Sequence, residues 1–382
     1  MPSRISEAVD LHQNKYLDLN SMKELPESYA WTQLEHESSS SISSRKKESV
    51  PIIDLRHPDA VALVGRACIT WGVFQVINHG IPKGLDQRIE GQVNSLFSLP
   101  MQRKLRAARS PDGISGYGVA RISCFFQKLM WSEGFTIVGS PLEHARQLWP
   151  HGYTEFCDII GEYDKEMKRL AGRIMWLILG SLGISEKEIR WVGSNRDFAE
   201  ACAALQLNSY PPCPDPTRAM GLAAHTDSTI FTILHQSNTS GLEVLRGSSG
   251  WVAVPPVPRA LVINVGDLLQ ILSNGLYQSV LHRALVNGKH HRLSVAYLYG
   301  PPKGAQISPL PKLISPACPP IYRSVTWAEY LQEKAKHFNK ALSSVRICAS
   351  IKGLQDAHDK IIQVDPRMND IDGPFETKVI LP

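Results

Sequence analysis

The spacing of hydrophobic positions changes once along the chain, near residue 200. Before it, helical spacing dominates. Ile159, Ile160, Tyr163, Met167, Leu170, Ile174, Leu177 and Ile178 fall three or four apart. They form one apolar stripe and predict a long helix over about Thr154–Leu182, closed at Gly183. Val61, Val64, Ala67 and Cys68 predict a shorter helix over about 59–71, and another is expected over about 83–97, stopping near Pro100. Pro51–Leu55 and Val73–Ile77 read as strands, the second closed by Asn78-His79-Gly80. After residue 200, short β-branched runs alternate with Gly, Pro and Asn. These are Ala204–Tyr210, Met220–His225, Thr229–His235, Leu242–Arg246, Val252–Val254, Ala260–Val265, Ser279–Val286 and Arg292–Tyr299. A jelly roll is the natural solution for such a set of strands. A polar-faced helix over Thr326–Val345 would cover one side.

This pattern divides the 382 residues into regions. Residues 1–49, with a Ser-rich charged stretch at 37–49, are expected as a flexible segment. Residues 50–199 read as a mostly helical N-terminal region, 200–303 as the jelly-roll core, and 304–346 as a covering helix region. Residues 347–382 form an atypical tail with the character of a disordered extension.

Composition narrows the function classes. Forty-one basic and 36 acidic residues give a net charge of +5 without a basic block beyond Arg45-Lys46-Lys47, so no nucleic-acid partner is expected. The most apolar window, Ile174–Ile184, is far shorter than the ~20 residues of a membrane span. The N-terminal stretch is polar, and the seven cysteines show no CxxC pair, so a reduced, cytoplasmic protein is expected.

The candidate chemistry starts at His225-Thr226-Asp227. Residues i and i+2 of a strand share a face, so the imidazole and carboxylate can converge on one ion. A second imidazole would complete two histidines and one carboxylate, a set that leaves coordination positions open and suits Fe(II). His282 is the best third ligand: it lies in a late apolar strand and can approach from across a barrel. His290 and His291 read as solvated turn residues, and His79 as a turn residue. The alternative for a single buried histidine is a satisfied core residue.

Arg292 and Ser294 lie two apart in the next strand and can grip a carboxylate together. Asn208 and Tyr210 offer a second paired face. The alternative for Arg292 is a surface charge on a hairpin. For Arg292 and His282 to face one interior, Asn287-Gly288 must lie within a longer loop than a two-residue turn.

Together these residues resemble the plant iron and 2-oxoglutarate oxygenase superfamily, over about Leu25–Arg346. Within it the chain is similar to gibberellin 3-oxidases. This rests on Glu24-Leu-Pro-Glu-Ser-Tyr-Ala-Trp, Ser115-Gly-Tyr-Gly-Val-Ala-Arg-Ile, Met130-Trp-Ser-Glu-Gly-Phe-Thr and Leu222-Ala-Ala-His-Thr-Asp-Ser-Thr. Ser273-Asn-Gly-Leu, Val280-Leu-His-Arg-Ala and His337-Phe-Asn-Lys-Ala-Leu-Ser add to it. The Pro-Trp-Lys-Glu-Thr segment typical of related gibberellin 20-oxidases does not occur. Ser209, Gln127 and Leu129 depart from the family pattern.

The resemblance implies an α+β fold: a distorted double-stranded β-helix (jelly roll, cupin-like) with flanking helices. It implies that His225, Asp227 and His282 hold Fe(II), and that Arg292, Ser294, Tyr210 and Asn208 bind 2-oxoglutarate. O2 would be the second co-substrate and ascorbate an accessory reductant. The implied reaction is 3-beta-hydroxylation of a gibberellin, a small diterpenoid carboxylate, coupled to decarboxylation of 2-oxoglutarate to succinate and CO2. Phe125, Phe126, Trp131 and Phe135 are candidate walls of its pocket, with ordinary core as the alternative. Arg121 or Lys128 could meet its carboxylate. Other readings are oxidation at another gibberellin position or of a flavonoid, a catalytically silent hormone-binding protein, and a zinc hydrolase. The last supplies no general base and no use for Arg292 and Ser294.

Overall fold

A computed structural model describes residues 17–31, 49–111, 113–189 and 198–347. The stretch expected as a linker at 37–49 lies outside them except for Ser49, as does the tail from 348 onward. The first half of the chain forms β1 (Ile52–Asp54), α1 (Ala60–Thr70), β2 (Val73–Ile77), α2 (Leu85–Phe97), β3 (Gly116–Gly118) and β4 (Glu133–Ile137). Two helices follow, α3 (Leu142–Leu148) and α4 (Thr154–Ser181). The second half forms β5 (Cys202–Tyr210), β6 (Met220–His225), β7 (Phe231–Gln236), β8 (Leu242–Arg246), β9 (Gly250–Ala253) and β10 (Leu261–Val265). It continues with α5 (Asp267–Leu272), β11 (His282–Leu285), β12 (Arg292–Gly300) and α6 (Trp327–His337).

Among the described residues, one sheet runs β1-β2-β10-β7-β12-β5-β4-β3 and a second runs β6-β11-β8-β9. The eight strands β5 to β12 are shared between the two sheets, which is the jelly roll that their spacing predicts. The chain up to β4 is less separate than expected, because four of its strands extend the main sheet. The sequence reading missed β3 and β4, which are short and carry glycine, a residue depleted in strands, at 116, 118 and 134. Gly134 is needed where it stands, since a Cβ there would fall 2.9 Å from Gln206 Nε2 and 3.1 Å from the Gly118 carbonyl.

Strand alternation assigns the two faces of the main sheet. Leu205, Leu207, Ile233, Ile263, Val295 and Tyr297 share one core with the stripe of α4, where Tyr163, Met167, Leu170, Ile174 and Ile178 are buried. Each such aliphatic side chain contributes about 1.5–3 kcal/mol by leaving water. The opposite face meets the second sheet. There Val73, Leu234, Val262 and Ala296 pack with Leu242 and Val244 and fill part of the space between the sheets. Toward the start of β12 this inner face becomes polar, with Ser294 and Arg292 both 2% exposed.

The helix expected over Thr326–Val345 is interrupted. α6 opens on a capping box between Thr326 and Glu329 and stops at His337, because Phe338 takes φ 47°. That turn carries the Phe338 ring onto Phe125, with centroids 4.6 Å apart. At the other end of α6, Trp327 lies flat against Gly300, where a Cβ would collide with the indole ring. The indole cannot swing aside, since its Nε1–H donates to the Ser228 carbonyl at 2.6 Å.

A Gly300→Ala substitution should therefore destabilise the protein by about 1–3 kcal/mol through overpacking. The check is a lower urea midpoint at unchanged slope. A midpoint equal to that of the native protein would show that α6 is not tightly docked.

Candidate metal centre and co-substrate pocket

His225 is the last residue of β6 and His282 the first of β11. These strands are antiparallel neighbours, and the two histidines are direct register partners. Their rings lie 4.3 Å apart, centroid to centroid. The expected approach from across a barrel is thus corrected: His282 stands beside His225 in the same sheet. Asp227 lies beyond the end of β6, so a turn rather than strand alternation delivers its carboxylate. Its Oδ1 is 3.6 Å from Nε2 of both histidines.

The donor set fits a metal ion. His225 Nδ1 faces the Ala223 carbonyl at 2.8 Å and His282 Nδ1 the Val280 carbonyl at 3.3 Å. A ring nitrogen facing a carbonyl must carry the hydrogen, so both Nε2 lone pairs are presented to the centre. Burial, then the neighbouring His282, pushes His225 down to about 4, which leaves it neutral near pH 7. Burial works against ionisation of Asp227, but His282 and His225 together hold it below the usual carboxylate range. Asp227 Oδ2 is buried without a hydrogen-bond partner. Two imidazoles that present Nε2 and one carboxylate on one side of a centre are the set that suits Fe(II) with open positions.

The neighbouring pocket is built by β5 and β12, which pair Arg292 with Tyr210 and Ser294 with Asn208. All four face the space between the sheets. Asn208 Nδ2 donates to Ser294 Oγ at 3.3 Å, and the Arg292 guanidinium lies 5.0 Å from the Tyr210 ring centroid. Burial pushes the Tyr210 phenol up, so it stays neutral; burial also pulls Arg292 down, but its ordinary value is so high that the guanidinium stays cationic. Among the described residues no carboxylate pairs with Arg292, and its Nε is buried without a partner. A buried cation of this kind suits the distal carboxylate of a keto-diacid.

Asn287-Gly288 does lie in a longer connection, residues 286–291. The hairpin premise is corrected, however, because β11 pairs with β6 and β8, whereas β12 pairs with β5 and β7. The connection is a corner between sheets, shaped by Asn287 Oδ1, which accepts from the Lys289 and His290 amides. His290 is exposed as expected, but His291 is half-buried against Ser209 Oγ at 2.8 Å. His79 is buried too, its Nε2 2.8 Å from the Arg259 carbonyl.

The aromatic candidates divide. Phe126 packs around Met220, Leu222 and Ala223 of β6, and both Phe125 and Phe126 contact Phe338. Trp131 and Phe135 do not line this region. Trp131 is fully buried, donates to the Pro211 carbonyl and packs edge-on against Tyr29. Phe135 alternates with Gly134 and Thr136, so it faces the helical layer and contacts His144. Lys128 is engaged by the Glu27 side chain and carbonyl, while Arg121 is exposed at the start of the turn that carries Phe125.

Two supporting residues escaped the sequence reading. Gln236 Oε1 accepts from Arg292 Nη2 at 3.2 Å, and Gln236 Nε2 reaches the Val254 carbonyl. Gly241 leaves room for Arg292, since a Cβ there would come within 2.9 Å of its Cδ. The alternation of β7 puts Gln236 on the same face as Leu234, which could have marked it as inward.

Comparison with known proteins agrees with this arrangement. Residues 201–301 match the 2OG-Fe(II) oxygenase superfamily and residues 50–152 the N-terminal part of the non-haem dioxygenase in morphine synthesis. Gibberellin 3-beta-dioxygenase 1 of Pisum sativum is 60% identical over 94% of this chain and 98% of its own length. Gibberellin 3-beta-dioxygenase 1 of Arabidopsis thaliana is 59% identical over 86% of this chain and 92% of its own. The crystal structure of JOX2 with 2OG, Fe and JA superposes with a TM-score of 0.70 at 33% identity, covering 82% of this chain and 90% of JOX2. A rice dioxygenase for auxin oxidation gives 0.65 at 27% identity, covering 78% and 100%. The paired histidines and the buried arginine beside them thus have a family: the chain belongs to the 2OG-Fe(II) oxygenases, whose cofactors are iron and 2-oxoglutarate.

Proposed function

We propose that this oxygenase 3-beta-hydroxylates gibberellin precursors. The observation that carries the reading is 60% identity, over 94% of the chain, to a gibberellin 3-beta-dioxygenase. His225, Asp227 and His282 are the ligands that would hold iron. Arg292 and Ser294 would bind the distal carboxylate of 2-oxoglutarate, with Asn208 and Tyr210 lining the same pocket. Iron, 2-oxoglutarate and O2 together supply the oxidising power to hydroxylate a C–H bond, with succinate and CO2 as co-products. The protein's part is placement. Gln236 and the Tyr210 ring hold the guanidinium in one orientation, and the apolar fill around Leu234 and Val244 keeps that side dry. Phe125, Phe126 and Phe338 offer an apolar surface beside the strand that ends in His225, suited to a rigid diterpenoid. With Lys128 tied to Glu27, Arg121 is the better partner for a substrate carboxylate. Six described cysteines are free, which fits a cytoplasmic enzyme.

The direct test is anaerobic reconstitution with Fe(II) and 2-oxoglutarate, then O2 and mass spectrometry of gibberellin products. The expected result is a 3-beta-hydroxylated gibberellin with equimolar succinate. A product hydroxylated elsewhere, or turnover only of a flavonoid, would move the substrate assignment. Binding without substrate-stimulated CO2 release would make the chain a silent hormone-binding protein.

For the co-substrate pocket, Arg292→Met should raise the half-saturating 2-oxoglutarate concentration about 30-fold or more, because one partner of a buried charge pair costs about 2–5 kcal/mol. Gln236→Leu should raise it only about 3- to 10-fold, the worth of one net hydrogen bond. Steady-state kinetics at saturating gibberellin reads both, and an unchanged value for Arg292→Met would remove the guanidinium from the pocket.

On the substrate side, Arg121→Ala should retain iron binding and lose most hydroxylation at low gibberellin concentration. Full retention of kcat/KM would remove Arg121 from substrate recognition.

A further inference from the structure

Behind the turn that carries His225 and Asp227 lies a buried polar knot with no part in the chemistry described so far. Asp267, the first residue of α5, has no exposed surface. Its Oδ2 accepts from the Tyr330 hydroxyl at 2.7 Å, from Lys334 Nζ at 2.8 Å and from the Thr226 hydroxyl at 3.1 Å. Lys334 Nζ also donates to Thr226 Oγ1, so cation, carboxylate and hydroxyl form a closed triangle. Tyr330 and Lys334 lie four apart on α6 and therefore on one face of it.

The same turn is held at its backbone. The Asp267 amide donates to the Asp227 carbonyl at 2.8 Å. The Trp327 indole donates to the Ser228 carbonyl at 2.6 Å, and Asn339 Nδ2 to the Ala224 carbonyl at 3.1 Å. Every residue from Ala224 to Ser228 except His225 thus has a contact to α5, α6 or the residues after α6, and His225 is left facing the centre.

A buried lysine–aspartate pair is a poor device for stability alone, because desolvation offsets much of its attraction. Its value lies in geometry. A cation that must reach both Asp267 and Thr226 admits few placements of the turn between them. Asp227 needs such a constraint more than the histidines do, since it lies outside the strand ladder.

We propose that Lys334 and Asp267 are positioning residues for the metal centre, acting through Thr226 to hold the Asp227 carboxylate where it can bind iron. The proposal rests on His225, Asp227 and His282 being the ligands. α6 is then part of the metal site although none of its residues is a ligand.

The test measures binding of Fe(II) alone, under anaerobic conditions and without 2-oxoglutarate, to the full chain by equilibrium dialysis. Thr226→Val keeps the β-branched shape and removes the hydroxyl. It should weaken Fe(II) binding about 10-fold, and Lys334→Met about 10- to 100-fold, as for other residues that orient ligands from behind. Thr226→Ser restores the hydroxyl and should bind within about threefold of the native chain, on the same rule. If Lys334→Met fails to fold, the Thr226 pair decides alone. Native Fe(II) affinity in Thr226→Val would overturn the proposal, even if the metal-free variant melts lower, because the knot would then be scaffold only. His282→Ala separates the two layers of inference. If it abolishes binding while Thr226→Val binds normally, only the positioning role fails. If it too binds normally, the ligand assignment falls and the positioning role with it.

Discussion

The antiparallel register between β6 and β11 is the constraint from which the rest of the site follows. Placing His225 opposite His282 brings two imidazoles together, tilted by 51°, at strand-pair spacing without any long-range alignment of separate layers. A shift of one residue would turn one ring to the other side of the sheet. The register is protected by what flanks it. The ladder shifts by one residue between His282 and Ala284, and beyond that irregularity Gly221 of β6 has Tyr210 and the Ala284 carbonyl so close that no side chain fits there, which holds β6 against both β11 and the main sheet. β8, on the other side of β11, pairs Val244 with His282 and carries the apolar fill of the barrel. Packing thus sets a geometry that the two histidines could not set themselves.

Much of this was legible in the sequence because alternation and helical spacing are local properties. The stripe of α4 and the short apolar runs after residue 200 needed no knowledge of their partners. The same holds for residue pairs two apart: Arg292 and Ser294 share a face because a strand requires it. What was not legible is which strands are neighbours. His282 looked like a residue reaching over from elsewhere, and the chain between β11 and β12 looked like a hairpin. Both follow from pairings between distant segments, which one strand's composition does not encode. β3 and β4 were invisible for another reason. Their glycines answer close approach by Gln206, Arg109 and the backbone, a demand set by the neighbours rather than by propensity.

The aromatic residues show where composition misleads. Phe125, Phe126, Trp131 and Phe135 are alike as residue types and close in sequence, yet they go to three environments. Trp131 secures the N-terminal stretch around Leu19 and Tyr29, Phe135 serves the helical core, and Phe125 with Phe126 lies beside β6 and Phe338. The sorting follows backbone conformation. Phe135 obeys strand alternation, whereas Phe125 closes a short 3-10 turn with Phe126 capping it. Sequence distance to a catalytic motif was a weak guide, and the secondary structure carrying the ring was the stronger one.

Two kinds of buried charge coexist in the fold, and their difference separates scaffold from site. Lys104 and Glu133 pair with one another at 2.6 Å, with Tyr117 donating to the same carboxylate oxygen. Lys334 and Asp267 do so behind the metal turn. Glu133 and Asp267 still keep one buried oxygen each without a hydrogen-bond partner, as Asp227 does at Oδ2 and Arg292 at its Nε; what sets Arg292 and Asp227 apart is that, among the described residues, neither has a carboxylate or lysine counter-ion. Leaving such an atom unsatisfied costs about 1–3 kcal/mol, more where it is charged. A fold bears that cost only where its surroundings over-determine the conformation, and here they do: Gln236 and Gly241 fix the arginine, while α5 and α6 enclose the turn. Ligand binding then recovers the cost by supplying the missing partners, so the strain held in the protein becomes affinity for a metal and a dicarboxylate at one defined place.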